Sequence, residues 1–256
     1  MTGPSQEGAQ NSASPDAALE KLIHDRSPEV LVAAAGDSRL SEDLALALLT
    51  RRDLPAKALE ELNKNGAVTK HRKVRLAIVM HARTPRHVSI PAIRHLYAFE
   101  LMQVALFPAV AADVKRAAEE TLIGRLETIS AGERYALAKQ SPGRVAAALL
   151  FDEDERIMQA ALANPHMTEP LVVKSLRVEE VTDILVSAVS HDEKWSRRQE
   201  IKTILLTHQK TPFAKVLQFA SELPVRVIQD ALHSARMDEK LRNYLEAVVE
   251  KRAGGL

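Results

Sequence analysis

The sequence predicts an all-α protein, and three observations lead there. Only nine of the 256 residues are glycine, β-branched runs are short, and Ala, Leu, Glu, Lys and Arg recur in windows of about ten residues that fit a 3.6-residue period. The helices expected in order are 16–25, 28–36, 41–51, 55–63, 70–81, 88–107, 111–127, 130–139, 141–151, 154–163, 168–177, 179–190, 193–208, 212–221, 223–234 and 237–251. Proline supports this segmentation. Pro28, Pro55, Pro85, Pro108, Pro142, Pro165, Pro212 and Pro224 all fall at turns or first helical positions, where a missing N–H is tolerated.

Composition removes several classes of answer. Cysteine is absent, which excludes a disulfide framework, a thiolate zinc site, an iron-sulfur cluster and a cysteine nucleophile. The first fifteen residues contain neither an apolar run nor Lys or Arg, so a secretory signal is not expected. Apolar stretches such as 145–151 are far too short to span a bilayer. The expectation is a cytoplasmic protein without membrane insertion or cofactor. It has disordered tails at 1–15 and 252–256 around a single repeat domain at 16–251.

Superposing the helices reveals a shared rule. An apolar residue opens the helix, small apolar residues follow, and a polar or turn residue comes seven positions after the first. Val30 leads to Asp37, Val74 to His81, Val145 to Asp152, Ile157 to Asn164, and Ile201 to His208. Two units end alike, HARTP at 81–85 and HQKTP at 208–212, and a third closes with Asn164-Pro165. The clearest unit is 149–176. There Asp152 and Asp154 charge or cap a helix start, Ile157, Ala160, Ala161 and Leu162 form a buried stripe, and Thr168 caps the next helix.

This unit resembles the HEAT-like and leucine-rich-repeat-variant families, whose repeats join an acidic pair, a helix of apolar and small residues, an Asn-Pro turn and a Leu-containing second helix. The resemblance covers 28–234 and is sharpest at 149–176 and the two Thr-Pro turns. It implies an α-solenoid, a superhelix of stacked helical hairpins of HEAT-like or armadillo-like kind, in which neighbours bury the stripe that no single pair can bury alone. Small Ala residues let such helices approach closely, consistent with 46% hydrophobic residues and only nine aromatics. Some variant-repeat proteins carry an iron-sulfur domain, which a chain without cysteine cannot hold.

Net charge is +1, yet the 38 residues between Glu61 and Glu100 contain no Asp or Glu. They contain Lys64, Lys70, Arg72, Lys73, Arg75, Arg83, Arg86 and Arg94, a local +8, together with His71, His81, His87 and His95. On the helix starting near residue 70, Val74, Ala77 and Ile78 are expected to face inward, leaving Lys70, Arg72, Lys73 and Arg75 on the outer arc. With Arg83 and Arg86 these are the candidate contacts for nucleic acid, polyphosphate or another anionic partner. The competing reading is a solvated face balanced by acidic residues of the next repeat. Tyr97 and Phe99 lie in an apolar run expected to be core, so base stacking is not indicated. His81 and His208 occupy the repeat position of Asn164, which points to bonding of free backbone carbonyls and not to a metal site. His87 and His95 stand eight apart across Pro91.

The segment 191–202 contains the single tryptophan and resembles DNA-alkylation glycosylases built from HEAT-like repeats. That resemblance implies a modified-nucleotide site of Trp195, Arg197, Arg198 and Asp192. The alternative is that Trp195 packs at a repeat junction. No Gly-rich phosphate loop, nucleophile elbow or paired-carboxylate motif is present. The leading expectation is therefore a non-enzymatic scaffold that binds a protein partner through its second helices, with nucleic-acid binding and glycosylase chemistry as alternatives.

Overall fold

The computed structural model describes residues 15–234 and 237–253. The chain divides between Thr121 and Leu122 into two units. The first contains α1 (Pro15–Ile23), α2 (Pro28–Gly36), α3 (Glu42–Leu49), α4 (Ala56–Lys64), α5 (Gly66–Thr69), α6 (Arg72–Met80), α7 (Arg86–Ile93), α8 (Ala98–Leu106) and most of α9 (Ala112–Ile123). The second contains α10 (Ala131–Gln140), α11 (Gly143–Leu149), α12 (Glu155–Leu162), α13 (Glu169–Leu176), α14 (Asp183–His191), α15 (Gln199–Thr207), α16 (Phe213–Glu222), α17 (Val225–Ser234) and α18 (Glu239–Ala253), after a 3-10 turn at Leu126–Thr128. No strand occurs among the described residues, and none of their helices is long and apolar enough to cross a membrane. The expected tail residues 1–14 and 254–256 lie outside the described residues, and α18 continues through Ala253.

Helices pack on their second neighbours. In the first unit α2 packs on α4, α4 on α6 and α6 on α8. In the second, one row runs α10, α12, α14 and another runs α11, α13, α15, α17. Small side chains make the close approach feasible. Ala34, Ala35, Ala45 and Ala58 are buried beside Leu31, Leu48, Leu59 and Leu62 in the first unit, and Ala138, Ala146 and Ala161 beside Leu137, Val145 and Ile157 in the second. Each fully buried Leu or Val contributes roughly 1.5–3 kcal/mol of transfer free energy.

Side chains from later helices also cap the ends of earlier ones. Proline at 142 has no N–H to offer the Ala138 carbonyl, which would be left without a partner. Asn164 Nδ2 supplies the donor, at 2.7 Å to Ala138 O and 3.1 Å to Ser141 O. Pro55 likewise frees the Arg51 carbonyl, to which His81 Nε2 donates at 2.9 Å. Pro224 frees the Ala220 carbonyl, and Arg252 reaches both it and Leu223 O at 2.8 and 2.7 Å. Asn65 bonds to Ala35 O and Asp37 O, and Lys210 to Val181 O, in the same manner.

The residue that ends each unit also holds its own turn. Asp37, Asn65, His81, Asp152, Asn164, Asp192 and His208 each accept the backbone N–H two residues on, at 2.7–3.2 Å. The seven-residue rule therefore marks a turn acceptor. Ala58 to Asn65 and Leu185 to Asp192 obey it too, each from a buried helical residue.

Two expected helices need correction, and one short helix was not expected. The helix expected at 88–107 is two helices, α7 and α8, because Pro91 removes a helical donor and Glu100 Oε2 captures the Tyr97 N–H at 2.7 Å to open a new helix. The helix expected at 193–208 begins only at Gln199, since Asp192 Oδ1 accepts the N–H groups of Lys194 and Trp195 and holds 193–198 in a turn. The short α5 follows from Asn65, whose side chain accepts the Ala67 N–H. Thr168 stands at the start of α13 as expected, but its hydroxyl makes no capping bond there. Asp154 does cap α12, accepting the Arg156 N–H at 2.9 Å.

Candidate functional site

Part of the basic segment is paired with carboxylates. Arg72 on α6 bonds to Glu100 Oε1 on α8 through Nε and Nη2, at 3.1 and 3.0 Å. Its guanidinium also lies 3.8 Å above the centre of the Tyr97 ring, which is 57% exposed and not in the core as expected. Arg86 meets Asp113 at 2.7 Å, Lys64 meets Glu61, and His71 and His87 touch Glu42 and Glu60. Arg83 donates to the carbonyls of Asp53 and Leu54, so like His81 it satisfies backbone carbonyls of an earlier turn. Lys70 lies in the turn after α5, and Lys73 is exposed on α6. Arg75 departs from the outer arc, being partly buried with its Nε enclosed. The first unit as a whole holds sixteen Lys and Arg against fifteen Asp and Glu, so the local excess is offset within that unit.

Trp195 is 2% exposed, and its indole N–H donates to Leu162 O at 3.0 Å, 33 residues back. Lys194 Nζ lies 4.0 Å from the ring centre on one face. A ring so enclosed has no face on which a nucleobase can stack, which corrects the nucleotide-site reading and supports the repeat-junction alternative. Arg197 and Arg198 are exposed in the turn, with Arg198 at 4.0 Å from Glu169, and the Asp192 carboxylate is engaged by two backbone N–H groups. The four residues are adjacent in the chain but do not converge on a cavity.

Asp152 is similarly structural, bonded to Arg134 Nε at 2.6 Å and to the Asp154 N–H. His81 bonds through both ring nitrogens, to Arg51 O and to the Arg83 N–H, which fixes it as the Nε2–H tautomer. His208 repeats the second of these contacts with Lys210.

Two adjoining grooves lie on one row of helices in the second unit. A groove of about 790 Å³ runs between α10 and α12, lined by Gly132, Tyr135, Lys139, Gln159, Ala160 and Ala163 among others. A second, of about 490 Å³, lies between α12 and α14 and is lined in part by Met158, Gln159, Ile184, Ser187 and His191. Gln159 belongs to both, so the two adjoin along one row of helices. Tyr135 is 43% exposed and Ile184 is 49% exposed on that row.

No family model, curated protein or solved structure matches the chain. Sequence reasoning missed the face because Gly132, Ala160 and Ala163 read as ordinary helix formers or core. Their signal was subtle: small residues at positions that the helical period turns outward, beside one of three tyrosines.

Proposed function

We propose that the chain is a non-enzymatic helical-repeat scaffold of the α-solenoid type that binds a protein partner along α10, α12 and α14. The observation that carries this reading is the pair of adjoining grooves, floored by small side chains and flanked by exposed Tyr135 and Ile184. Tyrosine offers a large contact surface with few rotors to immobilise, and Ala and Gly leave room for a partner side chain. Packing of each helix on its second neighbour, and carbonyl capping from one repeat to the next, support the solenoid part of the reading. The face belongs to the row of first helices, whereas the sequence reading placed the partner on the second helices.

The nucleic-acid alternative is less well supported, since three of the six cations it requires, Arg72, Arg83 and Arg86, already bond to carboxylates or carbonyls. The test is affinity capture from native extract with the wild type, Ala160→Arg and Tyr135→Ala. A stoichiometric partner recovered by the wild type and lost by both variants, with unchanged circular dichroism, is the expected result. Recovery of no partner, or equal recovery by the variants, overturns the reading.

A further inference from the structure

Arg75 is the cation of the basic segment that packing encloses. Lys70 and Lys73 are exposed and Arg83 donates to backbone carbonyls, whereas Arg75 is partly buried, makes no ion pair among the described residues, and has its Nε enclosed without a hydrogen-bond acceptor. A buried N–H without an acceptor is costly and calls for a reason. Arg75 lines a cavity of about 260 Å³ together with Asn63, Thr69, His87 and His95. No Asp or Glu lines this cavity. The sequence spacing of His87 and His95 across Pro91 left their relation open, and the fold brings both to this one cavity.

Few donors around the cavity are already committed. Thr69 donates its hydroxyl proton to Asn65 O at 2.9 Å, so it offers a ligand only acceptor capacity. Asn63 contributes an amide and His95 an imidazole, and His87 meets Glu60 at 3.3 Å through Nε2, with Nδ1 as its other ring nitrogen. A guanidinium with surrounding amide and imidazole groups suits an oxyanion. The volume exceeds the roughly 30 Å³ share of one water and falls short of the roughly 300–1,000 Å³ of pockets for drug-sized ligands. A nucleic-acid strand would bring a row of phosphates past Glu100, Asp113 and Glu61, which already occupy the neighbouring cations, whereas a single anion avoids them.

We propose that the Arg75 cavity binds one phosphate-type oxyanion, with Arg75 as the fixed cation and Asn63, His87 and His95 as polar partners. The anion is either free or carried as a phosphoryl group on a peptide. The proposal is independent of the groove on α10, α12 and α14. It is tested by titrating the isotopically labelled full chain with inorganic phosphate at constant ionic strength, with chloride as control, and following the Arg75 and His95 side-chain resonances. Saturable shifts are expected, with affinity at least about tenfold weaker in Arg75→Met and several-fold weaker in His95→Ala. His95 is exposed, so His95→Ala decides the matter if Arg75→Met fails to fold.

A phosphoserine peptide and its unphosphorylated form provide the second arm. Saturation by phosphate and phosphopeptide alike supports the cavity as a receptor for the free anion; saturation by the phosphopeptide alone, lost in the variants, supports a carried phosphoryl group. Shifts that match chloride in both arms, or variants that bind as the wild type does, overturn the proposal. Arg75-dependent binding of duplex DNA in place of both probes overturns it as well.

Discussion

Replacing Asn164 tests the idea that helices distant in sequence are joined through carbonyls that proline leaves free. Asn164 is fully buried; it donates to Ala138 O and Ser141 O and accepts the His166 N–H at 2.7 Å. Asn164→Ala strands two carbonyls in a site that the surrounding core closes to water. At roughly 1–3 kcal/mol for each buried group left unsatisfied, the expected loss is about 2–5 kcal/mol. For a chain of this size that corresponds to a fall in Tm of about 5–15 °C, measured by circular dichroism or urea unfolding.

Two further substitutions separate donor loss from cavity formation. Asn164→Asp keeps the acceptor for His166 but aims a second acceptor at two carbonyl oxygens, so it should cost at least as much as alanine. Asn164→His restores one donor and one acceptor in the arrangement that His81 already uses, so it should retain more stability than either. The expected order of stability is Asn, His, Ala, then Asp. An aspartate variant as stable as the wild type, or an alanine loss below about 1 kcal/mol, refutes the capping argument.

Three other outcomes are expected. A Cβ at Gly143 would lie 2.3 Å from His166 O, a backbone atom, so Gly143→Ala should destabilise by about 1–3 kcal/mol in chemical unfolding; an unchanged midpoint would show that α11 can shift freely. Burial, and secondarily the charge of Lys210, depress the His208 pKa below its ordinary 6.5. The unfolded chain thus takes up this proton first, and stability falls as pH drops through about 6.5; His208→Gln should flatten the decline of urea midpoints between about pH 7 and pH 5, and an identical slope would count against it. The Arg39 side chain, then its backbone N–H, hold Asp37 at about 2 against an ordinary 3.8, so its contribution is present above 3.8 and lost as pH falls through about 2. In a carboxyl NMR titration Arg39→Ala should raise that pKa toward 3.8, and no rise would mean that the pair does not persist in solution.

The all-helical class and most helix positions were legible in the sequence because both depend on local rules. A 3.6-residue apolar period buries Val74 with Ile78, and Ile157 with Ala161, whatever lies beyond the helix. Proline marks helix starts for equally local reasons, as at Pro28. The turn role of Asn164 and His81 was legible too, since a polar side chain at a helix end meets carbonyls that lack partners. The split between α7 and α8 was harder to see, because it needed a Glu100 carboxylate to reach back to the Tyr97 N–H inside an otherwise apolar run.

Other features rest on residues far apart in the chain, and only the tertiary structure decided them. Arg72 and Arg86 read as free cations until Glu100 and Asp113 are brought against them from other helices, and His71 and His87 likewise meet Glu42 and Glu60. Trp195 reads as a stacking residue until Leu162, 33 positions earlier, receives its N–H. Arg75 reads like its neighbours until packing encloses it without a carboxylate. Periodicity along a helix determines which side is buried, so the sequence alone settled the elements and their inward faces. The outward faces acquire their character from what neighbouring helices place beside them, and that depends on packing distances no local pattern encodes.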